Sequence, residues 1–410
     1  MKRNLFRQII NEWRSNIWLT VEFAVVILAI WFILITMYLY SGGLFEPRGF
    51  NPDRVYSLSM RKVDDNSPRH NEGYTEEDMF YDFKQIVKRL RENPNVEAVA
   101  IHSSALPYNY NFHGAQISIA GMPDSIYYTG NMKTGSPDIV NVLEIKSLTG
   151  KTSDDLIAAL KRGEILISNN PAFEGWGLDV KKIIGKKVYM GGDTTIAYKV
   201  GDVIQHLRRT DYEATSYYGT ILLPIDEEKP VVGNVMIKVK PGREKAFLND
   251  YENDAALHRQ REVYLTDLQN LNEIRETLQM PIVTQFRLYV IIVVFLLATI
   301  LLGLLGSFRF RIQQRISEIA IRKVFGATRG DIFRRILSEG FILLLVGVVI
   351  SSGLIYPLAD KIGDGDIKWY ESLIFEAIAV ALVAIDVVVS LWYPSYKAMK
   401  LEPAIAIKEE

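Results

Sequence analysis

The stretch RFRIQQRISEIAIRKVFGATRGDIFRRILSE, residues 309–339, lies between two apolar runs at 288–308 and 340–357. Arg309, Arg311, Arg315, Arg322, Lys323, Arg329, Arg334 and Arg335 make it strongly basic. Short loops rich in Arg and Lys beside membrane spans stay on the cytoplasmic side. Ile312, Ile316, Ile319, Ala320 and Val324 recur at three- and four-residue spacing, which predicts a helix with one apolar face. Gly326 breaks that pattern. Thr328 followed by Asp331 predicts the start of a second helix, which carries Ile332, Phe333, Ile336 and Leu337 and runs on into the next span. Two readings stand: a solvated loop that merely obeys the charge rule, or a contact for a cytoplasmic motor. The apolar face and the capped turn favour the second.

Outward from this loop, the other apolar runs set the topology. Ile17–Tyr40 follows Lys2, Arg3, Arg7 and Arg14. It is longer than the roughly 7–15-residue core of a signal peptide, and no Ala-x-Ala site follows it, so it is expected to span and stay. The fold expected is an α-helical membrane protein with four transmembrane helices and a large α+β extracytoplasmic domain between the first and second. The order expected is a cytoplasmic segment 1–16, a span 17–40, an outer domain 41–284, a span 285–308, the loop 309–339, a span 340–357, a short outer loop 358–371 bearing Asp360, Asp364, Asp366 and Glu371, a span 372–393 and a cytoplasmic tail 394–410. Glu22 and Asp386 fall inside the first and last spans. Intramembrane carboxyls cost about 2–3 kcal/mol at mid-membrane, so both should face protein or water, by snorkelling, by pairing with a loop Arg, or as a polar contact that registers packing or moves in gating.

Within the outer domain the sequence predicts a strand at Val55–Val63, a Thr75-capped helix over Thr75–Asn93 and a strand at Val96–His102. The order recurs late in the domain as strand Val231–Val239, helix Arg243–Leu257 and strand Glu262–Thr266. Two strand–helix–strand units, 50–113 and 229–266, then bracket an insertion, 114–228. The insertion reads as mostly β, with strands at Gln116–Ala120, Glu164–Ser168, Lys187–Met190, Tyr198–Ile204 and Thr220–Leu223. Leu268, Leu271, Ile274 and Leu278 suggest a stalk helix over 264–284, with Pro281 permitting a kink before the second span.

Composition narrows the chemistry. A formal net charge of -1 gives no pull toward nucleic acid, and the absence of cysteine excludes disulfides and thiolate metal sites. Gly150-Lys151-Thr152 imitates the end of a P-loop, but the first glycine of that motif would fall at Ile145. His70, His102, His113, His206 and His258 show no metal-binding spacing. No cofactor, metal or catalytic residue is expected, and any energy from ATP must come through a partner.

The segment EIAIRKVFGATRGDIFRRILSEG resembles the loop of MacB/FtsX-type ABC transporter permeases, through Glu318, Ile319, Arg322, Lys323, Gly326, Ala327, Thr328, Asp331, Ile332 and Glu339. Looser likenesses follow in SPDIVNVLEIKSLTGK, EILISNNPA, IIGKKV and YKVGDVIQ, and at Pro394, Ala398, Pro403 and Ala404 in the tail. Lys151 departs from the family's usual Arg, and the tip YNYNFHG (Tyr108–Gly114) has no counterpart. The resemblance implies a coupling helix that docks on an ABC ATPase through Glu318, Ile319, Arg322, Lys323, Val324, Phe325, Gly326, Ala327, Thr328, Asp331 and Phe333. It also implies ATP bound by that partner, a second permease copy (homo- or heterodimer), a bacterial inner-membrane location, and mechanotransmission to the outer domain for efflux, with an adaptor or outer-membrane channel as further partners. Regulation of a cell-wall hydrolase and lipoprotein release stay open within that machinery. A membrane-anchored sensor or scaffold without an ATPase stays open outside it.

Overall fold

The computed structural model describes residues 13–109, 111–123, 126–169, 179–191, 193–212, 218–359, 361–362 and 367–400. Lys2, Arg3, Arg7, Asp360, Asp364, Asp366, Pro403 and Ala404 lie outside the described residues. The chain forms two compact units, Tyr40–Pro281 and the apolar segments on either side of it.

Helix α1 (Trp13–Ser41) is the first apolar run. The Tyr40–Pro281 unit then comprises β1 (Val55–Lys62), α2 (Glu76–Glu92), β2 (Val96–His102), β3 (Gly114–Ile119), β4 (Tyr127–Gly135), α3 (Ile139–Leu143), α4 (Ser153–Lys161), β5 (Ile165–Ser168), β6 (Lys187–Met190), β7 (Asp193–Ile204), β8 (Gly219–Pro224), β9 (Asn234–Val239), α5 (Glu244–Asn253), β10 (Arg259–Gln260) and β11 (Val263–Asn270). Strands β11, β1, β9 and β2 are neighbours in that order, each pair antiparallel. With α2 joining β1 to β2 and α5 lying between β9 and β11, this is the ferredoxin-like split β-α-β arrangement. Everything from β3 to β8 is inserted between β2 and β9.

Local chemistry explains these elements. Thr75 Oγ1 accepts from Asp78 N at 3.1 Å and the Asp78 carboxylate accepts from Thr75 N at 3.1 Å, a capping box that starts α2. Phe83, Ile86, Val87 and Leu90, one face of α2, pack on Leu58, Val99, Val235 and Ile237. The opposite face of the sheet, with Val55, Ala100 and Met236, is covered by Ile139, Val140 and Leu143 of α3 and by Leu271.

The insertion closes on itself. Strands β4-β3-β6-β7-β5-β8 are successive neighbours, and β8 returns to pair in parallel with β4. Closure of this ring removes the free edges an open sheet would expose. Ile117, Tyr128, Ile167, Val188, Val203 and Ile221 belong to its core. A single residue pair, His102 with Gly135, joins β4 to β2.

Two elements differ from the sequence expectation. Strand β4 (YYTGNMKTG) carries no apolar alternation, yet Asn131 and Lys133 are buried in it; Asn131 Oδ1 accepts from His113 N at 3.1 Å. Residues 264–270, expected as the start of a stalk helix, are strand. Val263 and Leu265 bury against the α2 side, and the backbone pairs with β1 from Lys62 to Tyr56. Asn270 Oδ1 accepts from Asn272 N at 2.9 Å, and the helix begins only at Leu271.

That helix is α6 (Leu271–Gln314), with Pro281 inside it. It is followed by α7 (Ile316–Val324), α8 (Arg329–Ala359) and α9 (Trp369–Lys400). Helices α1, α6, α8 and α9 are each long and apolar enough to cross a membrane. In the membrane unit Phe23, Ile27 and Ile30 of α1 are buried with Leu343 and Leu344 of α8 and with Ala379, Val383, Val387 and Leu391 of α9, which recur every four residues. Ile300, Leu304 and Phe308 of α6 complete this cluster. Gly347 permits the close approach of α1 to α8, because a Cβ there would stand 2.8 Å from Phe23 Cβ. Trp31 Nε1 donates to Ser372 Oγ at 3.2 Å and Tyr38 donates to Glu371 Oε1 at 3.1 Å, joining α1 to the start of α9.

Candidate functional site

Helix α7 ends in a turn set by its sequence. Gly326 has φ +94°, Gly326 N donates to Lys323 O at 3.0 Å and Ala327 N donates to Arg322 O at 2.9 Å. These two bonds are a Schellman motif, and the positive φ is what requires glycine. Two residues on, Thr328 Oγ1 accepts from Asp331 N at 3.2 Å, while the Asp331 carboxylate accepts from Thr328 N at 3.0 Å. The helix stop and the next start are therefore fixed within six residues, and α8 leads straight from the turn into the third span.

A charge seam holds α7 against α8. Glu318 Oε1 accepts from Arg322 Nη2 at 2.7 Å and lies 3.8 Å from Arg335. Arg315 donates to Glu339 at 3.3 Å, and Arg335 approaches Glu339 at 3.8 Å. These five charged groups, with Ile319, Ile332 and Ile336, line a small cavity between the two helices. Ala320 is buried and Ile312, Ile316 and Ile319 are half-buried, as the expected apolar face requires. Val324 is not part of that inward face. It is 64% exposed and lies beside Ile321 (49%) and Phe325 (87%). The far end of α7 thus presents three apolar side chains to solvent, and burial of such a patch against another chain would gain about 25 cal/mol per Å².

The structure sorts the remaining expected contacts. Phe333 is half-buried, its ring 5.5 Å edge-to-face from the exposed Trp392 of α9. Asp331 is spent on the cap. Lys323 Nζ donates to the Met399 carbonyl at 2.8 Å. Burial first, then the nearby Arg329, lower the pKa of this ammonium below the ordinary lysine value.

Of the intramembrane carboxyls, Glu22 is half-buried against α6, where a Cβ on Gly303 would stand 3.5 Å from each of its oxygens. Asp386 is buried, and its Oδ2 has no hydrogen-bond partner among the described residues. Sequence reading passed over Glu376, buried in α9 and hydrogen-bonded to Ser352 of α8.

Sequence reading also missed a polar strap in the outer unit. The buried Asp211 carboxylate takes Arg275 at 2.6 Å, Arg48 at 3.1 Å and the Tyr108 hydroxyl at 3.0 Å. Arg208, also buried, donates to the Gly43 carbonyl. The segment 205–211 therefore grips both Gly43–Arg48, just beyond α1, and the first turns of α6. No motif signals this, since the partners are scattered over the chain.

Residues 290–403 match the family FtsX-like permease C-terminal. Among known proteins the chain is 24% identical over 291 residues to the macrolide export ATP-binding/permease protein MacB of Escherichia coli, a match that covers 65% of this chain and 41% of MacB. It is 30% identical over 112 residues to the uncharacterized ABC transporter permease YknZ of Bacillus subtilis strain 168, covering 27% of this chain and 28% of YknZ. The pyoverdine export ATP-binding/permease protein PvdT of Pseudomonas fluorescens is 30% identical over 109 residues, covering 27% of this chain and 17% of PvdT. The chain thus spans about two-fifths of the length of MacB. The solved extracellular domain of YknZ aligns over its full length with 52% of this chain, at 12% identity and a TM-score of 0.29. Residues 290–403 thus carry an FtsX-like permease C-terminal region, and the chain, with four helices long and apolar enough to cross a membrane, is similar to the ABC transporter permeases MacB, YknZ and PvdT.

Proposed function

We propose that this chain is the non-catalytic permease of an ABC system in which a partner ATPase pushes on α7 and the outer unit responds. The single observation that supports this most is the exposed Ile321, Val324 and Phe325 at a rigid helix–turn–helix that continues directly into a span. An exposed apolar cluster on a charged loop calls for a protein partner. ATP binds that partner, and this chain needs no cofactor. The basic residues of 309–339 support a topology with this loop and both termini on the cytoplasmic face and Tyr40–Pro281 outside, in a bacterial inner membrane on this reading. The names of MacB and PvdT, both export proteins, support efflux as the activity. Four spans per chain and the exposed apolar surface of α6 fit a second permease copy, homo- or heterodimeric, and the outer unit would meet an adaptor or outer-membrane channel.

The test is co-purification with the cognate ABC ATPase. Phe325→Asp with Val324→Asp is expected to reduce ATPase recovery by at least tenfold while the chain still folds and inserts. Recovery equal to that of the native chain would overturn the docking assignment.

A further inference from the structure

We infer that Lys323 is a positioning residue that pins the coupling helix to the C-terminal end of the fourth span, so that a push on α7 moves α8 and α9 together. The inference rests on the coupling reading above and refines it. The loop motif groups Lys323 with the docking face, but its side chain points elsewhere: Nζ donates to the carbonyl of Met399, the next-to-last residue of α9, at 2.8 Å.

That carbonyl has no intrahelical N–H to accept from. The last four carbonyls of a helix have no intrahelical partner, and the residue four positions beyond Met399 is Pro403, which has no N–H to offer. An ammonium is the suitable donor, because the helix C-terminus carries partial negative charge. The contact ties α7 itself to α9, beside the apolar cluster that Ile332 and Ile336 share with Leu391 and Ala398. The Phe333 ring of α8 meets Trp392, two helical turns earlier on α9. The charge seam of Glu318, Arg335, Glu339 and Arg315 fixes α7 to α8 alone. Without Lys323, a push on α7 would reach the end of α9 only through the packing of α8 on α9.

Hydrogen exchange on the full chain in lipid nanodiscs tests this, alone and with its ATPase in the presence and absence of a non-hydrolysable ATP analogue. In the chain alone, Lys323→Met should speed exchange in the last turn of α9 by about tenfold, the size expected for one hydrogen bond to a charged donor, and Lys323→Arg should restore protection. With the ATPase, the native chain should show an analogue-dependent change in that turn. Lys323→Met should lose the change with ATPase recovery intact, and Lys323→Arg should regain it. An analogue response that persists in Lys323→Met overturns the inference, and so does ATPase recovery that falls with it, which would return Lys323 to the docking face. If the native chain recovers no ATPase, the coupling reading fails, while exchange in the chain alone still decides whether Lys323 anchors α9.

Discussion

Arg275, in the second turn of α6, sets its guanidinium 2.6 Å from Asp211 Oδ2 in the Tyr40–Pro281 unit. Burial pushes the Asp211 carboxyl up, but Gln279, Arg275 and Arg48 together more than reverse this and hold it below the ordinary aspartate value. Removing one partner of a buried ion pair leaves an uncompensated charge. Arg275→Met should therefore destabilise this unit by about 3 kcal/mol, read as loss of exchange protection at the start of α6. Because the folded pKa of Asp211 is depressed, its contribution is complete well above pH 4 and is lost as pH falls further. Acid should thus diminish the difference between variant and native chain.

His102 is buried in β2 beside Lys133. Burial, then that ammonium, lower its pKa to about 4. A histidine whose folded pKa is depressed contributes stability above its unfolded pKa of about 6.5, and that stability is lost as pH falls toward 4. The outer unit should weaken by up to about 3 kcal/mol across this window. His102→Leu should flatten the pH dependence of thermal unfolding between pH 6.5 and 4 while changing little at pH 8. An unchanged slope would assign the acid sensitivity elsewhere.

Gly326→Val places a β-branched residue at φ +94°. The left-handed region costs an L-residue about 1–2 kcal/mol, so α7 should fray at its end and ATPase recovery should fall. Gly326→Asn, which tolerates that region better, should retain most of the recovery.

Arg315→Met takes away the closest cation to the buried Glu339 but leaves Arg335 at 3.8 Å. The cost should be about 2 kcal/mol in detergent-solubilised chain. Adding Glu339→Leu should recover part of it, since the stranded carboxylate is then gone. A double-mutant cycle on melting temperature gives the coupling directly.

Gly347→Leu would force α1 away from α8, because even a Cβ meets Phe23 Cβ at 2.8 Å and the Thr20 carbonyl at 3.2 Å. A loss of thermal stability without any change in the Tyr40–Pro281 unit is expected, measured by exchange in each part of the same chain.

The four apolar runs, the basic loop and the Thr75 and Thr328 caps were readable because each rests on neighbours in sequence: hydrophobic length, local charge, or side chains three residues apart. The two strand–helix–strand units were readable for the same reason, through periods of two and 3.6. Strand β4 was not, because its place in a closed ring is set by partners on β3 and β8 and by the burial of Asn131 and Lys133, which no local pattern records. The start of the expected stalk misled because Leu268 falls on the same helical stripe as Leu271, Ile274 and Leu278; pairing with β1 kept the backbone in a strand up to Asn270. At the loop, sequence alone determined that a helix, a glycine turn and a second helix occur there. Only the tertiary structure decided which side chains remain outward: Val324 and Phe325 do, whereas Phe333, Lys323 and Glu339 turn to partners within the chain. Backbone conformation is dictated over a few residues, but which face of a helix is free depends on everything packed against the other.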